Sequence, residues 1–397
     1  MLLSALIPPD VGALRTTGCL AFLAALSIYY VFSSPTPDVF GAPEIAITIL
    51  LALAFRPMIT RENLPLWGMF AFGVLVPSVT GVLYGHSPSD ILRDVAAAGF
   101  LFLVLLYGRV SADLGAKLIW AVALGGVVFA VRTILSYLPY LTSGNLSALG
   151  SPPDLLYLAN SPEVTFAALW FLGQGLSGIC APRFRLHTLG LLMCSAFCVL
   201  AMALMMQRAG IAVFMAAGLA MCFYFVRQSP RALVRLLVFW MILGAAFWPY
   251  AHALMSALLW KTHVVGLNSR YEEWMSVLKI VSQNYSALLF GEGWGTRFSN
   301  PAVGGLDVLF THSFFSSLLL KSGLIGCVLG LVGIALIFIK LWSLARDNIL
   351  LGFALFWPIL ISVTIYASYK SLGFGLLLLI ISVYPNQKLE KNTAPVA

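Results

Sequence analysis

The sequence predicts an all-α protein that crosses a membrane many times and carries one long polar loop late in the chain. Three observations lead there. The 397 residues are 60% hydrophobic and only 10% charged, with a mean hydropathy of +0.95, whereas soluble domains carry about a quarter charged residues. The apolar residues form long continuous runs instead of alternating. A chain in hydrocarbon must satisfy its backbone within helices or a closed barrel, and continuous runs select helices. Finally, the polar residues gather in one stretch, from Lys261 to His312.

A spanning helix needs about 20 mostly apolar residues. Runs near 11–33, 39–55, 65–83, 91–107, 116–138, 163–180, 186–206, 209–226, 234–257, 321–340, 349–367 and 370–384 predict about twelve spans in a single integral membrane domain, 1–397. Residues 186–226 are almost unbroken, yet one helix of that length would reach about 60 Å, twice the hydrocarbon thickness. The chain must fold back, and "MMQRAG" (Met205–Gly210) is the polar point at which to do so. Met1–Asp10 lacks a basic region, and no small-residue cleavage site follows the first run, so that run reads as an uncleaved anchor. The six cysteines lie in or at the ends of apolar runs and read as small hydrophobes. Cys194 and Cys198 share a helix face, but no histidine or carboxylate joins them to make a metal site.

Basic residues set the topology. With both termini in the cytoplasm, Arg93, Arg132, Arg208, Lys261, Arg270, Lys279, Arg297, Lys321 and Lys370 fall outside, and the other fourteen fall inside. Much of the net charge of +8 therefore reflects sorting across a membrane, not an anionic partner such as nucleic acid. The segment 261–312 then becomes an outward loop between the ninth and tenth spans. A second outward loop, Tyr137–Pro162, holds no basic residue.

The long loop has two halves. In "NSRYEEWMSVLKIVSQNY", Ser269 and Glu272 have capping-box spacing. Tyr271, Trp274, Met275, Leu278 and Val281 recur at helical spacing, with Glu272, Ser276, Lys279 and Gln283 opposite. This predicts an amphipathic helix lying on the outer membrane–water boundary. Arg270 sits in its first turn, where helix dipole and guanidinium both favour an anion, or where it could simply pair with Glu273. The second half, "GEGWGTRFSNPAVGG", has too many glycines for a helix. It predicts an ordered loop whose backbone can approach a ligand. "THSFFSSLLLKSG" then starts a helix, with Thr311 as its cap and His312 in its first turn, at or above the outer interface. A histidine at the mouth of a membrane cavity, near arginines, suits a base or a phosphate ligand.

Outside the loop, Arg208 sits at the forced outer turn, against the positive-inside pattern and at an energetic cost. Arg132 lies in the outer half of its helix, where a pair with Glu163 or Asp154 would also account for it. Arg93, between Asp90 and Asp94, reads as a local ion pair. No carboxylate is placed clearly at mid-membrane depth, which deprives an ion-coupled transporter of its usual relay. The sequence contains no GxxxxGK[ST], HExxH or GxSxG motif.

"QRAGIAV", "NSRYEEW", "LFGEGWG" and "THSFFSSLLLKSGLIG" occur in the order found in the O-antigen ligase/polymerase superfamily of bacterial envelope glycosyltransferases, which residues 186–341 resemble. The resemblance implies a GT-C-like fold in the bacterial inner membrane with a periplasmic active site. It implies transfer of a glycan from undecaprenyl pyrophosphate to a lipid A-core, glycan or protein acceptor, without a metal or another cofactor. By the same resemblance, Arg208, Arg270 and His312 would be catalytic, with Arg208 and Arg270 on the pyrophosphate. Arg297, Glu273 and Arg132 would follow as substrate-binding candidates. The family often has asparagine after the histidine, whereas this chain has Ser313. A transporter or flippase for an anionic lipid-linked sugar would use the same basic residues. A scaffold in a polysaccharide complex would need none of them at the outer interface.

Overall fold

The computed structural model describes residues 13–34, 41–142, 158–181, 185–242, 244–245, 248 and 269–393. The chain is helical almost throughout, as its apolar runs require. The helices are α1 (Ala13–Phe32), α2 (Ala42–Ala54), α3 (Leu64–Leu83), α4 (Pro88–Leu101), α5 (Leu103–Leu114), α6 (Ala116–Thr142), α7 (Pro162–Cys180), α8 (His187–Leu204), α9 (Arg208–Gln228), α10 (Ser269–Val281), α11 (Tyr285–Phe290), α12 (Phe314–Asp347), α13 (Ile349–Thr364) and α14 (Leu372–Thr393). Residues 230–242 are also helical. Two short strands, β1 (Phe298–Asn300) and β2 (Leu306–Val308), pair antiparallel within the polar loop.

Among the described residues, five helices are long and apolar enough to cross a membrane: Arg61–Leu83, Ala116–Pro139, His187–Leu204, Arg208–Gln228 and Phe314–Asp347. A sixth span results if α4 and α5 are counted together. The sequence predicts a span over 91–107, and the pair that covers it bends by 46°. The helical ladder breaks at Phe102, whose amide bonds the Gly99 carbonyl. Apolar side chains lie exposed along these helices, among them Leu75, Val79 and Val82 of α3, Leu219 and Phe223 of α9, and Val328, Leu331 and Ile339 of α12. Water disfavours such surface and lipid does not. These features mark a multi-pass, all-α membrane protein. Half of the ninth predicted span, 234–257, lies outside the described residues, as do Met1–Asp10, Lys261, Asp154 and most of the loop 137–162.

The described chain forms two compact units. The first comprises residues 1–121, 268–344 and 359–397. Its centre is α14, which packs on α4 and α5. Phe374, Leu376, Leu377, Leu379 and Ile381 of α14 are all fully buried. A helix apolar all round can be buried on every side. Gly375 permits the contact: a Cβ there would lie 2.2 Å from the Phe100 carbonyl oxygen.

The second unit comprises residues 122–267 and 345–358. Helix α7 is buried along most of its length. Gly126 of α6 abuts the Glu163 backbone, and the Ser195 hydroxyl of α8 donates to the Ala168 carbonyl at 2.8 Å. The fold-back falls where the sequence places it, between Leu204 and Arg208. Met206 takes φ +51°, and the Gln207 amide bonds the Met202 carbonyl.

Candidate functional site

The described part of the polar loop, from residue 269 onward, belongs to the first unit. Helix α10 buries Val277 and Val281 against Phe298, Leu319 and Leu320. That packing turns Glu273 inward, one helical turn before Val277, until it is 1% exposed. The predicted amphipathic face is thereby rotated. Val281 is buried and Trp274 half-buried, as expected, but Tyr271, Met275 and Leu278 are exposed. The inward face includes instead a carboxylate, that of Glu273. The side chain of Ser269, half of the predicted capping box, lies outside the described residues.

Glu273 meets His312. One carboxylate oxygen accepts the His312 backbone N–H at 2.8 Å. The other accepts His312 Nδ1 at 2.7 Å and Asn300 Nδ2 at 2.8 Å. With Glu273 ionised, Nδ1 donates the ring proton to it, and in the neutral imidazole Nε2 then keeps its lone pair. Burial pushes the Glu273 carboxyl above its usual range, against the Asn300 amide and the Arg270 charge, which pull it down. Arg270, one turn earlier on α10, thus acts on the dyad electrostatically. The Phe310 ring stands edge-on to the imidazole, with centroids 5.6 Å apart.

The helix after the loop starts later than predicted. It begins at Phe314, and the Ser313 carbonyl accepts its first amide bond, from Ser317. His312 therefore precedes the helix. Thr311 is not its cap; its hydroxyl donates to the Ser313 carbonyl at 2.8 Å. At Gly323 (φ 63°, ψ −161°) α12 breaks. Leu320 and Lys321, left with orphan carbonyls, accept the amides of Glu292 and Gly293. The part of α12 beyond Gly323 still runs about 35 Å, enough to span.

Those bonds belong to the glycine-rich stretch, which is ordered, as predicted. Its close approaches, however, are to the protein's own backbone. A Cβ on Gly293 (φ +86°) would lie 2.2 Å from the Gly81 amide nitrogen of α3. The Trp294 amide bonds the Pro77 carbonyl at 2.8 Å, and its indole bonds the Gly73 carbonyl at 2.9 Å. His86 Nδ1 lies 3.0 Å from the Trp294 carbonyl. The glycines serve to thread the loop between helices.

The sequence reading missed a charged cluster beneath this loop. Asp94, 3% exposed, accepts from Lys321, from Lys370 at 2.9 Å and from the Gly295 amide at 2.9 Å. Lys321 also donates to the Thr296 carbonyl at 3.0 Å. Asp90, one turn earlier, takes Arg297 in a two-point pair at 2.7 and 2.9 Å, and Arg93 approaches it at 4.0 Å. The predicted local ion pair at Arg93 is therefore the weaker part of a long-range network. The guanidinium of Arg297, a predicted substrate ligand, is directed to Asp90. A signal was available: Asp90 and Asp94 share a helix face, and Lys321 and Lys370 stand against the positive-inside pattern at the ends of apolar runs.

Among the predicted site residues, the structure brings Glu273, His312 and Arg270 together and gives Arg297 to Asp90. Arg208 and Arg132 belong to the second unit. Arg208 is the first residue of α9 and partly exposed. The Arg132 guanidinium lies 5.6 Å from the centroid of the buried Phe129 ring. Glu163, a predicted partner of Arg132, is fully buried and accepts from the Ser161 hydroxyl. Among the described residues no group of three or more His, Cys, Asp and Glu side chains is placed to hold a metal ion. The sequence matches no protein-family model, and no curated protein is similar to it.

Proposed function

We propose that this protein is a membrane glycosyltransferase that moves a glycan from undecaprenyl pyrophosphate to an acceptor hydroxyl at the outer face of the bacterial inner membrane. The observation that carries this reading is the Glu273–His312 pair. A buried carboxylate holds Nδ1 of a loop histidine and leaves Nε2 able to take a proton. The ordered motifs around Arg208, Arg270 and His312 supply the rest.

In the proposed step, His312 Nε2 removes the acceptor hydroxyl proton while that oxygen bonds the anomeric carbon of the donor. The bond from that carbon to the pyrophosphate oxygen breaks, and undecaprenyl pyrophosphate leaves with the electron pair. Glu273 stabilises the imidazolium, which afterwards releases its proton to solvent. A pyrophosphate leaves as a stable anion, so no acid is required. Arg270 would meet its growing negative charge by bidentate hydrogen bonds, strongest where water is excluded. The acceptor could be another lipid-linked repeat, a lipid A-core or a protein.

The test is donor turnover by purified protein in detergent. It would use an undecaprenyl-pyrophosphate glycan, candidate acceptors and EDTA, with Arg208→Ala, Arg270→Ala and His312→Ala alongside. Bond formation by the wild type, lost in folded variants, is expected. Binding of the donor through the same arginines without any bond formation would point instead to a transporter.

A further inference from the structure

We propose that Tyr369 and Lys370 are positioning residues for His312, acting through the backbone of the segment that carries it. This inference rests on the reading of His312 as the base. Residues Leu309–His312 link β2 to α12 and belong to neither, so their backbone groups need partners from elsewhere. Four consecutive groups are each taken by a different side chain. Lys370 Nζ donates to the Leu309 carbonyl at 2.7 Å. Asn300 Nδ2 donates to the Phe310 carbonyl at 3.3 Å. The Tyr369 hydroxyl donates to the Thr311 carbonyl at 3.1 Å. The His312 N–H is held by Glu273 at 2.8 Å.

The four donors and acceptors come from three elements: the turn Ala367–Lys370, strand β1 and helix α10. None can relax without pulling on the others. Tyr369 is 4% exposed, and its ring stands edge-on to Phe314 at 5.5 Å. Lys370 also bonds Asp94, which holds Lys321 and the Gly295 amide. The segment that carries the histidine is thus tied at Leu309, through Lys370 and Asp94, to the charged cluster beneath the glycine-rich loop. A loop residue gains by this the fixed placement that proton transfer needs, since small misplacements of a catalytic group cost large factors in rate. Loosening one point of the clamp should let the imidazole leave Glu273, so that its proton is shared between the two ring nitrogens.

The experiment uses the full-length chain in lipid nanodiscs with ¹⁵N-labelled histidine. The chain has five histidines, and the His312 signal is identified by its loss in His312→Gln. Wild type is expected to show a single Nδ1–H tautomer. Tyr369→Phe, which removes one oxygen and keeps the ring, and Lys370→Met are expected to show a tautomer mixture. In a donor-turnover assay both should lose roughly 10- to 100-fold in kcat with KM unchanged; the thermal midpoint should hold in Tyr369→Phe and fall in Lys370→Met, which also removes a counter-charge from buried Asp94. A tautomer shift would support the clamp even if the wild type turned over no donor, in which case only the transferase reading falls. An unchanged tautomer in both folded variants would overturn the proposal. So would a fall in midpoint with tautomer and kcat retained, since that marks a merely structural role.

Discussion

Two buried carboxylates in the same unit lead different lives. Asp94 and Glu273 are 3% and 1% exposed, and each accepts three hydrogen bonds. Two of the donors to Asp94 are ammonium groups. Its charge is compensated in place, and no titratable nitrogen is left to face a substrate. Glu273 accepts from an amide side chain, a backbone N–H and an imidazole, with Arg270 adding its field. Its charge is therefore available to stabilise a proton gained by His312. Burial alone does not distinguish a structural carboxylate from a functional one. The chemistry of its donors does.

The sharpest way to break this comparison is to neutralise Asp94. Asp94→Asn would leave Lys321, whose side chain is 1% exposed, without its counter-charge. Orphaning one partner of a buried pair costs about 3–5 kcal/mol. The thermal midpoint in detergent should collapse, and a midpoint close to wild type would remove Asp94 from its structural role. Glu273→Gln should do the reverse. The amide fits the same space and strands no buried charge, though its NH2 must turn toward an N–H donor, so the midpoint should fall less than in Asp94→Asn. Turnover should fall about 10²- to 10⁴-fold, because a positioned base is lost.

The same carboxylate sets a pH dependence. Its pKa is raised from 4.5 by burial, so the protonated form persists to higher pH than for an ordinary glutamate. Under the proposed mechanism activity needs the ionised form, and its loss on acidification should therefore begin above the usual carboxylate range. A turnover profile flat down to pH 4.5 would contradict this. Gly293→Ala sharpens the structural side of the comparison. Its left-handed backbone alone costs a side chain about 1–2 kcal/mol, and the new Cβ would strike the α3 backbone. Thermal unfolding should register at least that loss. The smallest effect belongs to Arg297→Gln. Its side chain is 49% exposed, and such pairs contribute at most about 1 kcal/mol, so the midpoint should scarcely change.

The helices were legible because they follow from local sequence. A run of apolar residues makes a helix wherever it lies, and the fold-back at Met205–Gln207 follows from length alone. His312 was legible as the polar residue that closes the loop. The orientation of α10 was not. α10 docks with Glu273 inward because Val277 and Val281 pack on Phe298, Leu319 and Leu320, and Asn300 and His312 meet the carboxylate there. The glycine-rich loop was read as a ligand cradle because glycine allows close approach to anything. Which backbone approaches it, here Gly81 and Lys321, is not a local property.

The sequence by itself determined that this chain is helical and crosses a membrane, where it turns back, and which polar loop deserved attention. These follow from solvent, hydrogen-bond satisfaction and helix length, all additive along the chain. Only the tertiary structure decided who partners whom. Glu273 finds His312 across 39 positions, and Asp94 finds Lys321 across 227. With nine basic residues predicted on the outer side and several carboxylates among them, many pairings satisfy charge equally well. Geometry selects among them, because only groups brought within hydrogen-bond distance can offset the cost of burial.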